Sequence, residues 1–496
     1  MGSIRHQTII SSLLVYIGFL VGALNTYFYV TNGSFTPEQF GLTRIFFDFG
    51  QNMYIFSSLG IIPVIYKFYP YYKDNLPAQK IDIVTWAMGT ALAGFFILLI
   101  VGFYFQPVIV HAYQQKSPLI VDFYYLMFPF ALGMLLFSVL EAYCWAIHQT
   151  IIANFLKETV MRMVTTVFIL LFYFKIIRFE TFIWLFTFLY AFIFVVLVLY
   201  LRKIKQLYLP LQMSRVTKKF WEKMMGMQAF IFGGTLISSI AATIDSVFIA
   251  HFQDLVSVGI FGLSQYAANL VQVPQRSIQA IATGYLAKAW KDKNFKEINR
   301  IYVRSCINLL LLALFIFGNI WLNVAQGMEV LHVQDKYKSG LGVLFILGMA
   351  RIVDAGTGVN NVVINTSTYW KFDFNSGVIL LTLRLPLTWF LIKHYGIIGS
   401  AVGELASYTI YNFIRFEFLR RKFNMQPFNS KTILAIVLGV GAFMVSYLLF
   451  HPINGWTGII LRSALFSIIF LVGIFIMNLT PDAMQLYEKW FQKKSS

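Results

Sequence analysis

Stretches of roughly 20 predominantly apolar residues recur from one end of this chain to the other, each the length a helix needs to cross bilayer hydrocarbon. Lipid offers no hydrogen-bond partners, so a spanning backbone must satisfy itself as an α-helix or a closed barrel. Barrel strands would be short, with lipid-facing and interior residues alternating; these runs are long and continuous. The chain is read as an all-α polytopic membrane protein. Of its 496 residues only 12% are charged, against about 25% in soluble domains.

The runs place fourteen spans, at about 9–30, 43–66, 82–104, 119–142, 151–173, 179–201, 224–250, 256–285, 301–323, 340–365, 375–393, 397–419, 432–450 and 457–478. An even number puts both termini on one side. Basic residues choose that side: 24 Lys and Arg fall on the segments that share a side with the N-terminus, and 6 on the opposite set. Cytosolic loops are the basic ones, so both termini are expected in the cytosol of a multi-pass cell-membrane protein. The net charge of +18 is thereby a topology and anionic-lipid signal, and needs no nucleic acid. The apolar stretch up to Val30 is too long for a signal-peptide core and is taken as the first span; His6 stands where a myristoylation pattern needs Ser or Thr.

Enzymatic and cofactor motifs are not apparent. "GVGAFM" (Gly439 to Met444) lacks the third glycine of a dinucleotide fingerprint, and there is no P-loop, Gly-x-Ser-x-Gly or His-Glu-x-x-His. Cys144 and Cys306 read as small apolar residues, neither disulfide nor metal ligands. A membrane glycan polymerase or ligase would need catalytic groups on a sizeable outer loop, and the largest, about 324–339, offers Glu329, His332 and Asp335. No cofactor, metal or catalytic residue is expected.

The chain repeats itself. Phe-Gly-Leu occurs at 40–42 and 261–263, 221 residues apart; Asn25 and Asp245, each in the preceding span, are 220 apart; Lys-Asp pairs at 73–74 and 291–292 are 218 apart. The copies run in the same orientation, which implies parallel lobes of six helices each. The expected organisation is an N-terminal lobe over 1–203, an interfacial linker over 204–223 that includes the basic "SRVTKKFWEKMMG", a C-terminal lobe over 224–423, and two further helices with a tail over 424–496.

In this 6 + 6 + 2 layout, the Phe-Gly-Leu start of span 2, the loop "YLAKAWKDKNFKEINRIYVRS" after span 8 and the Gly-rich "HYGIIGSAVGELAS" (His394 to Ser407), the chain resembles the Wzx-type oligosaccharide and polysaccharide flippases of the multidrug/oligosaccharidyl-lipid/polysaccharide (MOP) exporter superfamily. That resemblance implies a MATE/MOP-like fold. It also implies transfer of an isoprenoid-pyrophosphate-linked oligosaccharide from the cytosolic to the outer leaflet, for polysaccharide or O-antigen (lipopolysaccharide) biosynthesis. A cation-coupled multidrug exporter of the same superfamily is the alternative. Such exporters often carry a carboxylate in span 1, where this chain has Asn25.

A glycan pyrophosphate crosses only through a polar passage with cations to meet its phosphates. Nine basic residues lie within spans. Arg304, Arg415 and Arg462, close to span ends, are expected to snorkel to headgroups, as is Glu141. The other six, Arg44, Lys157, Arg162, Arg276, Arg351 and Arg384, form a ladder in depth and are the candidate substrate-binding cations. Each costs about 2.5–3.5 kcal/mol at the centre of an isolated helix, so a compensating role is expected. Asp48, Glu158 and Asp354 stand at helix-neighbour spacing from Arg44, Arg162 and Arg351, and so either pair within the helix or line the passage. Asp245 and Glu404 have no partner at such spacing on their own helix and are candidates for coupling to H+ or Na+. Gly18-x-x-x-Gly22 and Gly399-x-x-x-Gly403 read as close helix contacts.

Overall fold

The computed structural model describes residues 17–482 apart from 19 and 34; the beginning of the first expected span, Arg5 and the three C-terminal lysines lie outside them. The protein is all-helical and polytopic. Among the described residues nine helices are long and apolar enough to cross a membrane, one of them covering two expected spans, while the second, fifth and eighth expected spans are each assembled from shorter helices joined at local breaks. The chain divides into two compact units, 1–259 and 260–496.

The first unit contains α1 (Leu20–Val30), α2 (Pro37–Ser58), α3 (Ile61–Asn75), α4 (Ile83–Tyr113), α5 (Met127–Ala146), a π-helical turn (Phe155–Val160) leading into α6 (Met161–Tyr173), α7 (Phe179–Thr187), α8 (Leu189–Lys203) and α9 (Arg215–Phe252). Its helix ends follow local chemistry. Thr36 opens α2 with a capping box to Gln39, ahead of Pro37. At the α2–α3 break Gly60 adopts φ 76°, a left-handed geometry that glycine takes without penalty, and its missing side chain admits the backbone of Gln228 and Phe232.

α9 stands at the head of the expected second lobe, yet in this structure it packs within the first unit against α2 and α3. Polar pairs accompany that contact: Asn52 donates to Thr243 at 2.7 Å and accepts from Ser239 at 2.6 Å. The glycine of the first Phe-Gly-Leu is explained in the same unit. A Cβ on Gly41 would stand 2.0 Å from the Leu255 carbonyl oxygen, so the two backbones touch. Many of the phenylalanines form an interior seam, with Phe130 stacked on Phe186 at 5.6 Å and Phe35, Phe46 and Phe182 buried beside them.

The second unit continues through most of α10 (Leu255–Asn269) into α11 (Val273–Lys291), α12 (Phe295–Val330), α13 (Leu341–Gly356), α14 (Asn360–Asn365), α15 (Trp370–Phe423), α16 (Ser430–Phe450) and α17 (Gly455–Ile476). α15 is two helical spans joined at a sharp break at Gly396, φ 59° and ψ −141°; Pro386 sits inside its first half. That break falls between the expected spans 11 and 12. The two appended helices pack on α12 through Leu309, Phe317, Leu438, Phe466 and Phe470. Gly318 and Gly473 make room, since a Cβ at either would come within 2.4 Å of Phe466 or Leu438. In lipid this association comes from shape-matched packing rather than from exclusion of water.

Candidate functional site

The charges inside the spans sort into two groups by what they can reach. In the first unit, the π turn between Phe155 and Val160 interrupts the helix that enters α6. It presents Lys157 and Glu158 as neighbours that reach different partners. Lys157 Nζ donates to both oxygens of Glu141 on α5, at 3.0 and 2.9 Å. Glu158 accepts from Arg162 at 2.8 Å, the expected intrahelical pair. Arg162 also donates to the Gly18 carbonyl oxygen at 2.7 Å, and Asn25 donates to the Arg162 carbonyl at 3.0 Å while accepting from Thr166 at 2.6 Å. Gly18 and Gly22 make these contacts feasible, because Cβ atoms there would meet the Glu158 backbone at 2.1 Å and the Arg162 guanidinium at 2.9 Å. Despite the pairing, the side chains of Lys157, Arg162 and Glu158 remain 37%, 29% and 28% exposed. Ions with that much open surface inside a span are better suited to a polar passage than to hydrocarbon.

Arg44 and Asp48 stand one turn apart on α2, both partly buried. Asp48 lies against Arg44 and against Ser246 of α9. Asp245, the residue before it, is 1% exposed.

In the second unit the arrangement is inverted. Arg351 on α13 pairs with Glu404 on α15 at 2.6 Å, and Arg384 pairs with the other oxygen of Glu404 at 3.1 Å; these side chains are 5%, 2% and 1% exposed. The Tyr408 ring lies 5.7 and 5.4 Å from the two guanidinium carbons. Arg351 donates from Nε to Asn269 at 2.9 Å. Asp354, three residues along, accepts instead from Gln272 at 2.9 Å and Asn412 at 3.0 Å. The helix-neighbour spacing therefore did not set the Arg351 ion pair: α13 packs closely on α15, and Glu404 supplies a better-buried partner than Asp354. Arg276, in the first turns of α11, is the exception in this unit. It is exposed, and no ion pair is found for it among the described residues.

Three end-of-span arginines and one glutamate depart from the snorkelling expected of them. Arg304 pairs with Asp482 at 3.3 Å. Arg415 pairs with Asp373, lies over the face of Tyr411 at 4.0 Å and donates to Ser376 at 3.2 Å. Arg462 is 4% exposed and donates to Asn323 at 3.2 Å. Glu141 is held by Lys157. In each case a polar group from elsewhere in the chain lies within hydrogen-bonding or ion-pairing reach. The partners that completed these clusters, Glu141, Asn269, Gln272, Tyr408 and Asn412, carried no periodic signal, since they come from helices distant in sequence. Gln272, Asn269 and Asn412 are unusual only as amides inside apolar runs. No group of His, Cys, Asp or Glu suited to a metal occurs among the described residues.

No protein-family model matches the chain, and no curated protein sequence does either. Solved structures match over most of its length. The chain is similar to a lipid II flippase, MurJ, in an inward closed conformation, with a TM-score of 0.73 at 13% identity over 95% of this chain and 99% of that one. It is also similar to an inward-facing multidrug resistance MATE family transporter of the MOP superfamily, with a TM-score of 0.63 at 12% identity over 84% and 98%. A third match is a MOP superfamily transporter from Pyrococcus furiosus, with a TM-score of 0.51 at 12% identity over 84% and 95%. At such identities the likeness is one of fold: the chain has the fold of MOP superfamily transporters.

Proposed function

We propose that this chain, having that fold, is a flippase that moves an isoprenoid-pyrophosphate-linked oligosaccharide from the cytosolic to the outer leaflet by alternating access. The observation that carries the proposal is the exposed, cation-rich charge within the spans. Lys157, Arg162 and Arg276 present guanidinium and ammonium groups where hydrocarbon would otherwise be, and Arg276 lacks an ion-pair partner among the described residues. A pyrophosphate supplies the missing anion. Arg351, Arg384 and Glu404, sealed from solvent, hold α13 against α15 in this reading, while Arg44 with Asp48 forms the station at the outer end. The isoprenoid chain stays in lipid. Similarity to a lipid II flippase supports a lipid-linked substrate in general terms; the identity of the glycan rests on the sequence resemblance to Wzx-type flippases.

The proposal includes a cytosolic location for both termini, lobes related by the 221-residue repeat with 204–223 between them, and Asp245 as the carboxylate through which H+ or Na+ is coupled. A cation-coupled multidrug exporter is less well supported, because Arg276, exposed and without an ion pair among the described residues, repels a cationic drug. The test is reconstitution into liposomes with a fluorescent isoprenoid-pyrophosphate glycan. Arg276→Gln and Lys157→Gln should each lower the flipping rate by roughly tenfold or more, the value of a lost charge-assisted hydrogen bond, while Lys393→Gln, exposed beside the Gly396 break of α15, should leave it unchanged. Normal flipping in both span variants would refute the reading.

A further inference from the structure

Each repeat carries a basic cavity at the end of its helices, and the two cavities are built from corresponding segments. In the first unit a cavity of about 480 Å³ lies between Asn75, Pro77 and Lys80 on one side and Pro210, Gln212 and Arg215 on the other. In the second unit a cavity of about 350 Å³ is lined by Asn299, Arg300 and Arg304 and by Pro427, Lys431 and Leu479. Shifted by the 221-residue offset of the repeat, positions 75 and 80 fall at 296 and 301, and positions 210 and 215 at 431 and 436. Both cavities thus use residues around the start of the third span of a repeat and the segment after its sixth, while Leu479 and Pro481 of the second have no counterpart in the first. Both also adjoin a capped helix N-terminus: Ser214 caps α9 and Asn429 caps α16.

The chemistry of the second cavity is the more explicit. Arg300 is paired with Glu297 at 2.6 Å and Arg304 with Asp482 at 3.3 Å, while Lys431 donates to the Asn478 carbonyl at 2.5 Å. Each of these partners uses only part of the donor set of its cation. Donor capacity left over on these three cations is what the cavity offers to an anion. Leaving Lys431 along α16, Ile433, Val437 and Val440 form an exposed apolar stripe at helical spacing, where an acyl chain can lie. The first cavity has Lys80 and Arg215, the latter donating to the Asn75 carbonyl at 3.0 Å. Its nearby carboxylate, Asp82, is fully buried and turned inward to Ser214, Thr217 and Trp86, at 2.8, 2.8 and 3.0 Å. Basic pockets between spanning helices on the cytosolic side are suited to anionic headgroups.

We propose that each repeat binds one anionic phospholipid, of the phosphatidylglycerol class, through these paired cavities. This does not depend on what the protein transports. The experiment uses the full chain, purified and delipidated in detergent, titrated with short-chain phosphatidylglycerol, short-chain phosphatidylcholine and inorganic phosphate, with intrinsic fluorescence as the readout. Phosphatidylglycerol should bind in preference to phosphatidylcholine. Arg300→Gln with Lys431→Gln should weaken the tighter phase about 25-fold, taking about fivefold per cation near the surface, and Lys393→Gln should not. Equal binding of the two lipids, equal binding of inorganic phosphate and phosphatidylglycerol, or wild-type affinity in the double variant would each overturn the proposal. Should the double variant fail to purify folded, the wild-type comparison of the three ligands still decides.

Discussion

Glu404 bridges two arginines: Arg351 at 2.6 Å on one carboxylate oxygen and Arg384 at 3.1 Å on the other, with no side chain of the three more than 5% exposed. Removing the shared anion leaves two buried cations without their counter-charge. Glu404→Gln should therefore destabilise the protein by about 3–5 kcal/mol, visible as a thermal midpoint lowered by roughly 10 °C. Were Glu404 instead the coupling carboxylate, the variant would keep its midpoint and lose only its response to an imposed ion gradient.

Arg44 and Asp48 test the outer station. A pyrophosphate leaving a negative-inside cell gains about 2.3 kcal/mol per charge per 100 mV, so retention at the exit, not entry, is the hazard. Asp48 beside Arg44 competes for that cation. Arg44→Ala should cut export with folded protein retained in the membrane, and Asp48→Asn should prolong substrate retention. Full export by the neutral double replacement would show the pair to be structural.

Gly18 tests the seat of α1. Its Cβ position lies 2.1 Å from the Glu158 carbonyl oxygen and is blocked by backbone, which cannot swing aside. Gly18→Val should cost about 1–3 kcal/mol by overpacking and loosen Arg162, which donates to the Gly18 carbonyl. Thermal denaturation beside a Gly89→Ala control checks this, since Gly89 has open space around it.

Topology is tested by single cysteines in the variant lacking Cys144 and Cys306. A cysteine at Lys219 or Lys293 should react with membrane-impermeant reagent only after the cell is opened, and one at Gln334 should react from outside.

The helical class and the segmentation were legible because span length is imposed by the bilayer and shows in any single stretch of chain. The break at Gly396 was visible for the same reason, as a short polar interval between two apolar runs. Pair partners were not. Glu158 and Arg162 stand four residues apart on one helix and could be matched from spacing, whereas Lys157 with Glu141, or Arg351 with Glu404, depend on which helices lie side by side. The snorkelling expected of Arg462 was misleading for the same reason: its partner Asn323 stands on another helix, and the side chain is buried there. Exposure, which separates Lys157 and Arg276 from Arg351 and Arg384, is a property of the packed structure alone.

The π turn from Phe155 to Val160 has a further consequence. It stores one residue more than an α-helical turn would, and such a surplus can migrate along a helix by exchanging a few hydrogen bonds. Resorbing it would rotate everything on one side of it by about 100°, the angle per residue of an α-helix. Lys157 would then swing away from Glu141 while Arg162 kept its place against Gly18, or the reverse. A single helix could in this way show alternative charges to the same water without any lobe having to tilt.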